Sequence, residues 1–223
     1  TGMENHGKYG QFIYTHAGDA LFVNLYAASQ LDWKERGITL RQETTFPYSE
    51  NSTITIAEGK GTFNLMVRYP GWVHPGEFKV SVNGKPADII TGPSSYVSIN
   101  RKWKKGDVVN INFPMHSSLR YLPNEPQYVA LMHGPILLGM KTGTESMASL
   151  IADDSRFGQY AGGPKQPIDK APILINNDIA SIPSQLTPVS GKPLHFTLST
   201  RTENKIEGEL QPFFEIHDAR YMI

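Results

Sequence analysis

From residue 20 onward, apolar and polar positions alternate with the period of two that a half-buried strand requires. Strands are predicted at Phe22-Val23-Asn24-Leu25-Tyr26 and Ile38-Thr39-Leu40-Arg41-Gln42-Glu43-Thr44. The runs Thr53-Ile54-Thr55-Ile56 and Phe63-Asn64-Leu65-Met66-Val67-Arg68 alternate in the same way. Phe78-Lys79-Val80-Ser81-Val82 ends at Asn83-Gly84, a pair that adopts positive φ easily and so predicts a two-residue hairpin turn. A second hairpin is expected to join Tyr96-Val97-Ser98-Ile99 to Val109-Asn110-Ile111-Asn112-Phe113 through Lys105-Gly106-Asp107. Short strands at this spacing, bounded by Gly, Pro and Asn, predict an all-β, jelly-roll-like antiparallel β-sandwich over residues 18–118. Residues 1–17 differ. Tyr9, Phe12, Ile13 and His16 recur at helical spacing, although Gly7 and Gly10 each weaken a helix by about 1 kcal/mol relative to Ala.

The pattern loosens after residue 113. Pro114 to Pro126 reads as a crossing segment. Tyr128-Val129-Ala130-Leu131-Met132 and Pro135-Ile136-Leu137-Leu138 flank His133-Gly134 as two apolar strands. Glycines and prolines break up residues 141–172, with a short helix expected at Met147–Ala152. Irregular stretches of that length in compact domains are usually functional or mobile. Strand alternation returns at Leu194-His195-Phe196-Thr197-Leu198 and Phe213-Phe214-Glu215-Ile216-His217. A second β-domain is therefore expected over residues 119–223, ending within a strand at Arg220–Ile223.

Charge and cysteine content narrow the functions open to the chain. Its 21 Lys and Arg balance 21 Asp and Glu, so it lacks the basic field that nucleic acid or an anionic membrane requires. The run Arg101-Lys102-Trp103-Lys104-Lys105 is followed by Gly106-Asp107 and reads as a solvated turn. There is no cysteine, which excludes disulfides, thiolate zinc ligands and a cysteine nucleophile within these residues. No apolar run approaches the roughly 20 residues of a membrane helix.

Several segments together carry a family resemblance. They are Thr1-Gly2-Met3-Glu4-Asn5-His6-Gly7-Lys8-Tyr9-Gly10, Leu21-Phe22-Val23-Asn24-Leu25, Trp33-Lys34 and Leu40-Arg41-Gln42-Glu43-Thr44. Arg68-Tyr69-Pro70-Gly71-Trp72, Val82-Asn83-Gly84-Lys85 and Ala130-Leu131-Met132-His133-Gly134-Pro135-Ile136 follow. Ile151-Ala152-Asp153-Asp154-Ser155-Arg156 and Phe214-Glu215-Ile216-His217-Asp218-Ala219-Arg220-Tyr221 complete the series. In this order they resemble the β-L-arabinofuranosidases of glycoside hydrolase family 127 and its close relative family 146. The resemblance implies an (α/α)-barrel catalytic domain followed by β-sandwich domains, with residues 1–17 as a helical remnant of the barrel. It implies zinc held on cysteine thiolates and a glutamate, with one cysteine as nucleophile. Zinc would keep that sulfur as a thiolate, and a carboxylic acid would protonate the leaving oxygen. The paired cysteines would precede Thr1, so no catalytic residue and no metal ligand carries over to this chain.

Four groups of residues remain as site candidates. Glu4, Asn5 and His6 would stand near the active-site floor of the parent, where they either contact sugar or cap the last barrel helix. Asp153, Asp154 and Arg156 are read as a loop fixed by its own ion pairs, as a calcium loop, or as a lip of the parent's cleft. Trp33, Trp72 and Trp103 offer sugar-stacking faces if exposed, although tryptophan is more often core. His217, Asp218 and Arg220 lack a positioned nucleophile and read as an edge-strand charge cluster, and His133 as a core or interface histidine.

The expected function is that of a non-catalytic C-terminal β-region. It would support the catalytic barrel of a glycoside hydrolase acting on arabinofuranosyl-containing plant glycans, and shape its cleft. The expected partners are that barrel and, through it, the glycan, with neither nucleic acid nor membrane. The resemblance implies a periplasmic or secreted location. The alternatives are a carbohydrate-binding module and a structural or oligomerisation module.

Overall fold

The computed structural model describes residues 5–145, 147, 173–175, 178–198, 202–203, 208–217 and 219–223. The chain divides into two compact units, Thr1–Met115 and His116–Ile223.

Among its described residues the first unit has ten strands: β1 (Tyr14–Ala17), β2 (Ala20–Val23), β3 (Ser29–Trp33), β4 (Ile38–Glu43), β5 (Asn51–Glu58), β6 (Lys60–Tyr69), β7 (Lys79–Val82), β8 (Lys85–Pro86), β9 (Ser95–Lys104) and β10 (Val108–Asn112). One sheet runs β1-β2-β6-β9, the other β3-β4-β5-β10-β7-β8. The alternation read from the sequence sets the inner faces. β6 buries Phe63, Leu65, Val67 and Tyr69, while β5 buries Ser52, Ile54 and Ile56. Inward residues of both sheets join in one core with Trp103 and Phe113. Each fully buried side chain of this size contributes about 1.5–3 kcal/mol. The first unit is mostly β as expected, two sheets sharing one core, but it is not purely antiparallel: β2 pairs β6 in parallel.

The chain changes sheets at glycine-bearing corners. Between β5 and β6 stands Gly59, with φ 84°. A Cβ there would lie 2.1 Å from the Gly37 carbonyl oxygen, so glycine alone fits. The second corner corrects the sequence reading. β9 and β10 do not form a hairpin with each other; β9 pairs β6, while β10 pairs β5 and β7. Lys105-Gly106 turns the chain from one sheet into the other, and the buried Asp107 secures the turn. Its carboxylate accepts from Asn83 Nδ2 at 2.8 Å and from the Lys104 N–H at 2.9 Å. Arg101 stands 3.6 Å away. Burial pushes this carboxyl up. The Asn83 and Lys104 hydrogen bonds and the Arg101 and Lys104 charges outweigh it and hold the group below its usual range. The turn predicted at Asn83-Gly84 is present, with φ 51° and 76°, and closes β7 onto β8.

The N-terminal segment departs from its helical spacing. Tyr9–Phe12 form a 3-10 turn and Tyr14–Ala17 is strand β1, paired to β2 across Gly18-Asp19. Gly7 and Gly10 disfavour a longer helix, and pairing with β2 satisfies the backbone instead. Tyr9 and Phe12 are left 56% exposed.

The second unit contains β11 (Ser117–Leu122), β12 (Glu125–His133), β13 (Ile136–Gly143), β14 (Ile173–Leu174), β15 (Leu186–Pro188), β16 (Phe196–Leu198), β17 (Thr202–Glu203), β18 (Leu210–Pro212) and β19 (Arg220–Met222). Its main sheet runs β11-β12-β13-β18-β16-β15, with β19 also paired to β13, while β14 and β17 pair separately. The segment Pro114–Pro126 is thus not merely a crossing, because β11 lies within it and turns at Asn124, φ 65°. Phe213–Glu215 is a 3-10 turn rather than a strand, entered from Pro212, which has no N–H to continue a ladder. Leu131, Leu138, Ile182, Phe196 and Leu210 form the core. Met147–Ala152 falls almost wholly outside the described residues.

Gly59→Ala should destabilise the chain by at least about 2 kcal/mol in denaturant unfolding, since strain at positive φ and the Gly37 contact add. Asp107→Asn should cost about 1–3 kcal/mol at neutral pH. A carboxylate whose folded pKa is lowered stabilises above its unfolded pKa and loses that effect as pH falls through the folded one. The gap between wild type and Asp107→Asn should therefore close in acid, below about pH 4. A gap unchanged down to pH ~2 would show that the charge of Asp107 contributes nothing.

Candidate functional site

Two of the three tryptophans are buried in the core of the first unit. Trp33 is 6% exposed and lies edge-on to Phe63, with the Arg36 guanidinium 5.1 Å from its ring centre. Trp103 is fully buried, its Nε1 donating to the Phe63 carbonyl at 3.0 Å. Trp72 is half-buried, parallel to Phe46 and edge-on to Phe113. The core claims Trp33 and Trp103, because their rings fill the space between the sheets. Of the two alternatives for these residues, core packing is the one observed.

The other candidates are scattered. Asn5 and His6 are exposed, the His6 ring standing edge-on to Tyr9 at 5.6 Å. Glu4, Asp153, Asp154, Arg156 and Asp218 lie outside the described residues. In the second unit His133 packs on Phe196 at 4.9 Å and shares a 3.1 Å hydrogen bond with Ser117 Oγ, which fits a core histidine. Two tyrosines titrate above their usual range. Burial raises Tyr26, whose hydroxyl donates to the Arg68 carbonyl, and burial also raises Tyr14 against the lowering bond to Ser29. Both hydroxyls sit within the packing of the sandwich and serve to hold it.

Nothing in the residue pattern signals a groove of about 860 Å³ in the first unit, with walls of mixed polar and apolar character. Its walls are Ala28, Ser29 and Gln30 at the start of β3, Arg41 to Glu43 of β4, Thr44 and Thr45, and Asn51 and Thr53 of β5. Arg41 Nε stands 3.4 Å from Glu43 Oε1, both side chains well exposed. Gln42 is 1% exposed, and its Nε2 donates to the carbonyls of Leu25 at 3.0 Å and Ala27 at 2.6 Å. Its Oε1 has no hydrogen-bond partner. A separate pocket of about 440 Å³ in the second unit, between His133 and the Pro188–Phe196 turn, has mostly apolar walls.

Residues 20–115 match the family described as β-L-arabinofuranosidase, GH127 middle domain. Residues 118–223 match a domain of unknown function, DUF4986. A solved glycoside hydrolase is 26% identical over 89% of this chain, with a TM-score of 0.57. Two solved GH127 enzymes share the fold at 22% identity. One is a β-arabinofuranosidase (TM-score 0.56, 91% of this chain), the other a β-L-arabinofuranosidase from Geobacillus stearothermophilus T6 (TM-score 0.53, 91% of this chain). The chain spans 36%, 33% and 34% of these three proteins, about a third of each. A search of curated protein sequences returned no match. The thiolate-held zinc that the family resemblance implies does not fit these residues, because the sequence contains no cysteine. Among the described residues no helix is long and apolar enough to cross a membrane.

Trp103→Phe should lower stability by about 1–3 kcal/mol, through the lost bond to Phe63 and the space left behind. Trp72→Phe, at a half-buried site, should cost less than about 1.5 kcal/mol. Paired denaturant titrations check the ranking, and equal losses would contradict the core role of Trp103.

Proposed function

We propose that this chain is the non-catalytic β-region of a glycoside hydrolase acting on arabinofuranosyl-containing plant glycans. In this reading it supports the (α/α)-barrel and shapes the edge of the cleft. The domain order carries the reading: a GH127 middle domain is followed directly by DUF4986, and a glycoside hydrolase resembles almost the whole chain over a third of its own length. The implied chemistry needs thiolates to hold zinc and attack the sugar, and these residues have none. The zinc, the nucleophile and the acid then belong to the barrel.

The exposed Tyr9 and Phe12 fit the same reading. Two adjacent aromatic side chains at 56% exposure form an apolar surface suited to a protein neighbour. We assign that surface to the barrel, with the segment through Ala17 as the barrel's exit and Asn5 and His6 close to its floor. A plant glycan substrate goes with a secreted or periplasmic location. A binding module built on tryptophan faces is not favoured, since Trp33 and Trp103 are buried.

The purified chain, supplied with zinc and arabinofuranosyl substrates, should release no arabinose above a blank, and measurable release would overturn the proposal. Replacing both Tyr9 and Phe12 with Ser should cut the fluorescence of a bound apolar dye by about half. It should leave unfolding stability within about 0.5 kcal/mol. Unchanged dye binding would remove the docking role from this pair.

A further inference from the structure

We propose that Asn83 is a site of spontaneous deamidation, held in check by the corner around Asp107 and destructive of that corner once it occurs. Asn83-Gly84 is the only Asn-Gly step in the sequence. Glycine has no side chain to shield its backbone nitrogen, so that nitrogen can reach the amide of the preceding side chain. In the reaction the Gly84 nitrogen gives its proton to water or hydroxide and bonds to Asn83 Cγ. The Cγ–Nδ2 bond breaks, ammonia leaves, and a cyclic succinimide closes. Water then opens the ring at either carbonyl. The product is an ordinary aspartate, or an isomer whose main chain runs through Cβ. An amide and a water are consumed, an acid and an ammonia are formed, and no atom changes oxidation state.

Both residues are exposed in the turn between β7 and β8, so water reaches them. The side chain, however, is clamped. Asn83 Nδ2 donates to Asp107 Oδ1 at 2.8 Å, and Asn83 Oδ1 accepts from the Val108 N–H at 2.8 Å. The Asn83 N–H donates to the Val108 carbonyl, also at 2.8 Å. Swinging Cγ onto the Gly84 nitrogen breaks both side-chain bonds, so the reaction waits for the corner to open locally. The same clamp sets the cost of the product. An acid at position 83 keeps an oxygen for Val108 but loses the donor that faces Asp107. Two carboxylates then meet where a hydrogen bond stood, one of them on a residue only 1% exposed. Arg101, 3.6 Å from Asp107 Oδ2, and the Lys104 charge already serve the carboxylate that is there. The second is left uncompensated, which is costly at a buried site. The isomer also lengthens the main chain of a turn whose register sets Val82 opposite Lys85. The change is one-way: the product cannot rebuild the bond that protected its precursor.

The test keeps the whole chain in mildly alkaline buffer, either folded or unfolded in urea, and follows the peptide containing Asn83 by mass spectrometry. Conversion to the acid should be at least about tenfold slower in the folded chain. Equal rates, or no conversion even in urea, would overturn the proposal. The product is also made directly as Asn83→Asp, which should lower the midpoint of thermal unfolding by about 4 °C or more. Combining Asn83→Asp with Asp107→Asn moves the amide to the other side of the same contact. Its nitrogen then faces the acid at position 83 while its oxygen keeps the Lys104 N–H. The double variant should regain at least about half of the loss, since the two positions are directly coupled. If Asn83→Asp does not fold, the double variant should fold. An unchanged midpoint in Asn83→Asp would show that the corner tolerates the product, and would overturn its destructive effect. A loss with no recovery in the double variant would do the same for the clash of carboxylates.

Discussion

The first unit depends on the buried carboxylate of Asp107. A sandwich made by one chain must cross repeatedly between its sheets, and each crossing forfeits ladder hydrogen bonds that something else must replace. At the β9–β10 corner the replacements converge on one residue. Asp107 Oδ1 holds the β7–β8 turn through Asn83, and Oδ2 holds the last N–H of β9. Its backbone carbonyl accepts from Ile56 of β5, whose own carbonyl accepts from Gly106. Asn83 closes the loop by accepting from the Val108 N–H. A charge this buried would cost several kcal/mol if left unpaired. The corner therefore works as a unit, in which the turn, the strand end and β5 are fixed together.

Gln42 does the same at another crossing. The chain passes from β2 in one sheet to β3 in the other through residues 24–28, and two carbonyls of that passage, Leu25 and Ala27, are held by Gln42 Nε2. Tyr26 in the same passage stacks on Phe113 at 4.5 Å and reaches the Arg68 carbonyl. Asp107 and Gln42 are, with Ser52, buried polar side chains whose burial looks like a cost in isolation. Asp107 and Gln42 each stand where a sheet crossing leaves backbone groups to be satisfied, which is why the sequence spends a carboxylate and an amide inside the fold.

Much of this was legible in the sequence, and the failures are instructive. The turn at Asn83-Gly84 was readable because positive φ at two successive residues is a local demand that local chemistry meets. Lys105-Gly106-Asp107 carries nearly the same signal, yet its flanking strands pair with others. Partner choice is decided by which residues share the core, and that is not local. The helical spacing of Tyr9, Phe12, Ile13 and His16 lost to pairing with β2 for the same reason. Tryptophan faces drew attention because their chemistry is conspicuous, but Trp33 and Trp103 are consumed by packing. The groove was invisible for the opposite reason: Gln30, Arg41, Glu43 and Thr53 are each ordinary strand-surface residues, and only the registers of β3, β4 and β5 bring them together.

Those registers also decide what the groove can do. Gln30 stands opposite Arg41, and Glu43 opposite Thr53, in ladders whose other faces carry Leu31, Leu40 and Ile54. A slip of one residue would drive Arg41 and Glu43 into the core, so burial of Leu40 and Ile54 fixes the polar surface as firmly as it fixes the interior. Gln42, on the core face of β4 with Leu40, is tied to the passage between the sheets, so its amide cannot turn to satisfy Oε1 without releasing Leu25 and Ala27. The unpartnered oxygen is therefore held in place by the fold, as the cost of securing the two carbonyls of the passage.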